Sequence, residues 1–305
     1  MVTPVTLSSQ VLKELKNFVH TGELMPAAVI TIPASFDTVQ SNATKKAGYE
    51  AGFREVFLLQ EPIAASLAFF NESKQDIPEK GNWLVYDLGG GTFDVALVSV
   101  RNGELKVTDH EGNNFLGGVD FDALLIEQLI VPRIVALTGD ASIEEQMRNR
   151  NGQLEKLFYI LLYKAEEAKK ELSIQEETEI EFCLPGDERE ITVRIRREDL
   201  NRILHEKILA TTELIRSMLR INKLEAAEVN QVIMVGGSTF IPYVRELVAA
   251  ETGIPLAFGA DPTTAVAVGA AYYAGSKPMA TAAMPSPELP AQALGQERSS
   301  RFFSR

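Results

Sequence analysis

Three consecutive glycines between two apolar runs constrain this chain more than any other stretch. Residues 83–100 read WLVYDLGGGTFDVALVSV. Trp83, Leu84, Val85 and Tyr86 form the short apolar and aromatic run of a buried strand. Gly89, Gly90 and Gly91 follow, and residues 95–100 are strand-like again. The spacing predicts strand, turn, strand. No helix-forming run follows the glycines and no Gly-Lys-Ser or Gly-Lys-Thr is present, so this is not the strand–loop–helix phosphate loop. Glycine has no Cβ, which lets a ligand approach the backbone closely. Successive amides in such a turn can converge on an anion, and Thr92 adds a hydroxyl. Asp87 and Asp94, at the two strand ends, are hard oxygen ligands suited to Mg²⁺, directly or through water. These residues suit a Mg–nucleotide site; the plainer reading is a glycine-rich hairpin turn.

The 305 residues suffice for a large core and about two domains. A net charge of −12 argues against nucleic acid or an anionic membrane as a general partner, so any phosphate site must be built locally against the overall field. One cysteine, Cys183, excludes an internal disulfide and fits a reducing compartment. His20, His110 and His205 stand far apart in sequence, and no zinc or haem site is expected. The N-terminus has no signal-peptide pattern and no apolar run approaches bilayer length, which makes a cytoplasmic protein the expectation.

Along the chain, residues 6–19 predict an amphipathic helix capped by Ser8 or Ser9, with Val11, Leu12, Leu15 and Phe18 or Val19 as its apolar stripe. Residues 27–32 and 56–59 are short strands, and 41–52 is a helix stopped at Gly52. Glu61-Pro62 opens a further helix, where proline fits the first turn and glutamate suits the N-terminal dipole. Gly117 and Gly118 mark a tight turn before a helical run from Phe121. Residues 153–172 form a long helix whose end carries a Glu166–Lys170 pair at i,i+4 spacing. Residues 178–184 and 190–196 alternate as a hairpin about Pro185-Gly186-Asp187-Glu188, and 198–221 is a second long helix. Residues 231–235, QVIMV, form a buried strand. Gly236-Gly237-Ser238-Thr239 then feeds a helix from about Ile241, a terminus suited to phosphate, with capping by Ser238 or Thr239 as the alternative. Asp261-Pro262 caps a last small-residue helix. Residues 276–305 read as a disordered tail. WLVYDLGGGTF and QVIMVGGSTF echo one another, suggesting two cradles facing across a cleft.

DLGGGTFDVA resembles the second phosphate motif of the 70-kDa heat-shock chaperones, members of the actin-like ATPase superfamily. VITIPASFDTVQSNATKKAGYEAG with LLQEPIAASLAF, AEEAKKELS and VGGSTFIPYVRELV resemble further motifs of that family, in family order, over residues 7–275. The resemblance implies an α/β, actin-like ATPase (ribonuclease H-like) two-lobed fold with an incomplete first lobe. Residues 1–76 would be the remainder of lobe I. Residues 77–275 would be lobe II, with its core at 77–116 and 205–275, a helical and hairpin subdomain at 117–204, and a last helix, 262–275, in lobe II or returning to lobe I.

The same resemblance implies ATP or ADP with Mg²⁺ as cofactors. Gly89, Gly90, Gly91 and Thr92 would cradle phosphates, with Gly117 and Gly118 nearby. Glu61, Asp87 and Asp94 would arrange metal and water, Asp87 and Asp94 holding the metal. Glu166, Lys169, Lys170 and Ser173 would hold adenosine, with Gly236, Gly237, Ser238 and Phe240 against the nucleotide. Pro33 matches a proline that relays nucleotide state to the interdomain linker. Departures from the family pattern are Gln60 for asparagine, Phe115 and Val119 for histidine and glutamate, Lys170 and Phe240 for arginines, and Thr263 for aspartate. Lysine keeps the charge but loses the planar fork, and phenylalanine can stack on a base without charge.

Nothing in the sequence matches the family's first Asp-x-Gly-Thr-Thr-like loop, its later γ-phosphate lysine or its peptide-binding domain. The expectation is therefore an N-terminally truncated ATPase domain of a chaperone acting in ATP-dependent protein folding, with impaired hydrolysis. By resemblance, a J-domain co-chaperone and a nucleotide-exchange factor would be partners. The alternatives are a nucleotide- or partner-binding module that hydrolyses nothing, and a nonfunctional gene fragment.

Overall fold

The computed structural model describes residues 2–19, 25–74, 76–149, 152, 154–186 and 190–277. His20, Asp187, Glu188 and the tail from 278 onward lie outside the described residues. A five-stranded mixed sheet forms the centre, in the order β5-β4-β3-β8-β9. Its strands are β3 (Lys80–Leu88), β4 (Phe93–Arg101), β5 (Glu104–Asn113), β8 (Gln231–Val235) and β9 (Leu256–Ala257). β3 and β4 are antiparallel around the triglycine turn, and β8 runs parallel to β3 on its other edge. β3 is buried along almost its whole length, from Asn82 through Tyr86 and at Leu88, because sheet neighbours flank it and helices cover both faces.

On one face pack α8 (Arg197–Ile221) and the elements around it: α4 (Gly118–Leu125), α5 (Val131–Thr138), α6 (Ile143–Arg148), α7 (Glu155–Leu172), the hairpin β6–β7 (Glu177–Cys183 and Glu190–Arg196) and α9 (Pro242–Thr252). The Tyr86 hydroxyl reaches Thr211 on α8 at 2.8 Å, so the one polar atom of a fully buried ring is satisfied. Burial pushes that phenol well above its usual range. The other face carries α3 (Glu61–Glu72), whose Ala65, Phe69 and Phe70 meet Trp83, Val85 and Val98.

Ahead of α3 lie α1 (Pro4–Asn17), β1 (Ala27–Ile32), α2 (Thr38–Glu50) and β2 (Glu55–Gln60), with β1 and β2 paired in parallel. The final helix, α10 (Ala265–Gly275), packs on α3 and β1. It lies so close that a Cβ on Gly269 would overlap the carbonyl oxygen of Ala64.

Several expectations need correction. α1 starts at Pro4 and is capped by Thr3, whose hydroxyl accepts from the Thr6 N–H. Ser9, expected as a cap, is buried and donates to the Thr6 carbonyl. Of the expected α1 stripe, Val11, Leu15, Phe18 and Val19 are exposed and Leu12 is half-buried: periodicity marks the apolar face of a helix but not what covers it. β5 was not anticipated. Its signal is Asn102-Gly103, both at positive φ, which turns β4 back on itself as Asn-Gly does in tight hairpins. Between α4 and α5, residues Ile126–Ile130 form a π-turn just before Pro132, whose missing N–H breaks the regular ladder. Asp261 caps the turn before α10 rather than the helix itself, accepting from the Thr263 N–H and hydroxyl.

The two glycine bends do not face each other. β3 and β8 are adjacent parallel strands, with Asp87 opposite Val235, so both bends leave the same end of one sheet side by side. Nor does the second bend feed an α-helix directly. A 3₁₀ turn, Gly237–Phe240, precedes α9, and Ile241 stands at the helix start without a side-chain cap.

Candidate nucleotide site

The triglycine turn closes on itself through the Gly89 N–H, which donates to the Thr92 carbonyl at 3.0 Å. Two other segments clamp it from outside. The Gly118 N–H donates to the Gly89 carbonyl (3.0 Å) and the Val119 N–H to the Gly90 carbonyl (2.8 Å). The Ser238 hydroxyl donates to the same Gly89 carbonyl (2.9 Å). Contact is close enough to demand glycine: a Cβ on Gly117 would sit 2.5 Å from the Gly91 nitrogen, and one on Gly236, at φ +86°, would overlap the Leu88 carbonyl. The Gly89, Gly90 and Thr92 carbonyls are thus consumed by protein donors. The Gly90 and Gly91 N–H groups have no acceptor among the described residues. Those of Gly237 and Ser238 head a 3₁₀ turn, where no intrahelical acceptor exists. The bends are therefore donor-rich, as an anion site requires.

Gly90, Gly118, Gly237 and Ser238 line one cavity of about 510 Å³ together with Glu166, Lys169, Lys170, Ser173 and Phe240. Nine residues expected around nucleotide thus meet in one place. Gly89, Gly91, Gly117 and Gly236 form the frame behind them. Glu166 and Lys170 pair across one turn of α7 at 3.0 Å, and Lys170 also meets Glu167 at 2.9 Å. Hydrogen bonds to Glu167 and Glu166 hold the Lys170 ammonium well above its usual pKa. Lys169 is only 8% exposed, donating to the Gly118 carbonyl (2.8 Å) and lying 2.7 Å from Asp122 Oδ1. The second contact is an ion pair rather than a well-directed hydrogen bond, for that oxygen has no partner of good hydrogen-bond geometry. Burial raises the Asp122 pKa, and Lys169 partly offsets it.

Phe240 is half exposed at the cavity wall. The Arg245 guanidinium lies 5.5 Å from its ring centroid and donates from Nε to the Thr239 carbonyl at 2.6 Å. A cationic group therefore backs the ring where the family pattern has an arginine in place of the phenylalanine. Sequence reasoning missed Asp122, Ile174 and Ile241 on this wall, and named Val119 and Thr263 only as departures from the family pattern although both line the cavity. Ile174, directly after Ser173 at the end of α7 and 86% exposed, was legible as an apolar residue in a polar helix end.

Glu61, Asp87 and Asp94 meet in a second, tight recess of about 20 Å³, with Pro62, Ala34 and His110 among its walls. Asp87 and Asp94 stand directly opposite across the hairpin. Burial first, then Asp87 and Asp94, push Glu61 up to about 7. Burial and Asp94 push Asp87 up to about 6. Asp94 is raised by burial, while His110 and the Thr92 side chain pull it down. Thr92 thus addresses Asp94 besides standing at the turn. No zinc or haem site was expected at any histidine; strand register sets His110 on β5 opposite Ala96 of β4, where it lines the recess with these three carboxylates.

Among the described residues, no group of three or more His, Cys, Asp or Glu is arranged to hold a metal ion directly. Crowded carboxylates with raised pKa values nevertheless fit a hard cation, because a positive charge would relieve both their repulsion and their desolvation. Mg²⁺ retains several waters and needs only one or two carboxylates, which suits Asp87 and Asp94.

A mixed sheet with helices on both faces and paired glycine bends at one end has the fold of the actin-like ATPases. The family model described as Hsp70 protein matches residues 1–279. A protein described as a chaperone protein HscA homolog, from Pseudoalteromonas atlantica, is 34% identical over 283 residues, covering 91% of this chain and 42% of that protein. The chain belongs to the Hsp70 family. It spans less than half the length of that curated relative. No helix among the described residues is long and apolar enough to cross a membrane.

Proposed function

We propose that this chain binds ATP and ADP with Mg²⁺ and forms part of the ATPase unit of an Hsp70-type chaperone. One observation carries the reading: amide donors at two glycine bends open into the same cavity as the end of α7. The nucleoside lies against Glu166, Lys170, Ser173 and Phe240. The phosphates run toward Gly90, Gly91, Gly237 and Ser238. Asp87 and Asp94 would hold Mg²⁺, which would supply charge neutralisation for the phosphates. Glu61, raised to about 7, would orient the water that attacks the γ-phosphate in line and take up its proton, as the bond from phosphorus to the bridging oxygen breaks and ADP leaves. The division into lobes at 1–76 and 77–275, a cytoplasmic setting, and dependence on a J-domain co-chaperone and an exchange factor belong to the same reading, supported by family membership alone.

A second reading has a specific observation behind it. Among the described residues His110 is the only basic one lining the carboxylate recess, and none of their lysines or arginines lines it. Phosphoryl transfer relies on such charge stabilisation. The 305-residue chain taken alone therefore binds nucleotide well and turns it over slowly. Calorimetric titration with Mg–ADP, paired with a phosphate-release assay on the same sample, tests both parts. Absence of binding defeats the proposal, and brisk turnover defeats the claim of slow chemistry.

A further inference from the structure

The carboxylate recess contains one side chain that the nucleotide reading does not use, His110. Across β4 and β5, Asp94 faces Gly112 and Ala96 faces His110, so His110 is the diagonal neighbour of Asp94 on one face of the sheet. Diagonal neighbours come within reach of one another through long or aromatic side chains. The other two corners, Ala96 and Gly112, are small, and Asp94 leans into the space they leave: a Cβ on Gly112 would stand 3.0 Å from Asp94 Oδ1. Asp87 continues the row on β3, and Glu61 closes it from the start of α3. The volume of about 20 Å³ admits one water-sized occupant. His110 bonds Asp109 through its backbone N–H, but among the described residues neither ring nitrogen has a hydrogen-bond partner. The imidazole is close enough to Asp94 to pull that carboxyl down against the effect of burial.

We propose that His110 makes this recess selective for a divalent cation of the first transition row over Mg²⁺, with its imidazole nitrogen and Asp94 as protein ligands and water in the remaining places. This rests on the nucleotide reading above, which puts a metal at Asp87 and Asp94, and adds a nitrogen ligand to it. Carboxylate and water suit Mg²⁺, whereas imidazole favours the later transition metals. Crowded carboxylates attract any divalent cation, so the nitrogen is the group that discriminates. Two protein ligands suffice for an ion that keeps most of its waters, which agrees with the lack of a third side chain arranged to bind it directly among the described residues.

The test titrates Co²⁺ alone into the full 305-residue chain without nucleotide, followed by calorimetry and by the visible absorption of Co²⁺, which changes when nitrogen replaces water. Mg²⁺ alone is titrated in parallel. The parent should bind Co²⁺ at least tenfold more tightly than Mg²⁺. His110 is exposed, so His110→Ala keeps the fold. It should lose tenfold or more in Co²⁺ affinity, together with the nitrogen-bound absorption, while Mg²⁺ affinity changes less than threefold. Asp94→Asn should weaken both ions. His205→Ala, which alters a histidine tied to Tyr243 on the α8 side of the sheet, should change neither. Co²⁺ binding that ignores His110, or that depends on His205 instead, overturns the proposal. Equal weakening of both ions in His110→Ala, the mark of a purely structural role, overturns it as well. Titration of the same samples with Mg–ADP keeps two failures apart. A parent that binds Mg–ADP but takes Co²⁺ without His110 defeats this inference alone; one that binds neither metal nor nucleotide defeats the nucleotide reading with it.

Discussion

Replacing Gly90 with valine separates the chemistry of the cradle from the stability of the fold. A Cβ at Gly90 meets no atom within 4 Å, and its backbone is not in the left-handed region, so a side chain can leave this backbone without strain at its first atom. The fold should tolerate it as it tolerates an open surface change, within about 0.5 kcal/mol. Yet Gly90 lines the cavity, and its N–H is one of the donors left without a protein acceptor. A branched side chain there keeps phosphate from the amides. Hydrogen bonds to charged groups are worth about 1.5–3 kcal/mol, which corresponds to a loss of roughly 10- to 150-fold at 1.4 kcal/mol per decade. Thermal melting reads this directly. With Mg–ADP at one hundred times its Kd, the parent gains about 2.7 kcal/mol, or about 5–10 °C at roughly 2–4 °C per kcal/mol. A variant weakened about a hundredfold gains only about 0.4 kcal/mol at the same concentration, a shift of about 1 °C. The unliganded melting temperature should be unchanged. A variant that melts like the parent both with and without Mg–ADP would refute the assignment of this turn to phosphate.

Gly117→Ala should behave differently, because its Cβ would press on the Gly90–Gly91 backbone: it lowers the unliganded melting temperature and nucleotide affinity together. Gly269→Ala forces α10 away from the Ala64 carbonyl, and overpacking of this kind costs about 1–3 kcal/mol or more, read by urea unfolding with the single tryptophan, buried Trp83, as reporter. Glu61 is raised to about 7 and Asp87 to about 6, so the folded state holds their protons more tightly than the unfolded one. Their contribution to stability is complete below the unfolded carboxylate values near 4 and is lost as pH rises through 6 and 7. Glu61→Gln should flatten that decline in urea unfolding between pH 5 and 8. Over the same range, stabilisation of the parent by Mg²⁺ should grow with pH, as protons leave the carboxylates that would hold the metal. Equal Mg²⁺ stabilisation at pH 5.5 and 8 would contradict this.

The central hairpin, β8, α3 and the long helices α7 and α8 were legible because each carries strong local periodicity or a Gly or Pro boundary. β5 was missed although Asn102-Gly103 announces it, for its alternation is mostly polar and its apolar residues Leu105 and Val107 are only partly buried. The convergence of Glu61, Asp87 and Asp94 follows from a helix start and two facing strand ends, which motif order suggested. His110 joined them through strand register, a long-range property that no local pattern carries. The side-by-side placement of the glycine bends depends on β8 pairing with β3 rather than standing opposite it. Neither strand's composition determines that choice. Lys169 was legible as a charged residue near the end of α7; its burial against Asp122 arises only once α4 packs on α7.

The account rests on amides from both glycine bends meeting one chain of phosphates. A crystal structure of the chain with Mg–ADP tests it most directly. The phosphates should lie within hydrogen-bonding distance of the Gly90 or Gly91 amide on one side and the Gly237 or Ser238 amide on the other. A nucleotide whose phosphates touch only one bend, or that binds outside this cavity, would contradict it.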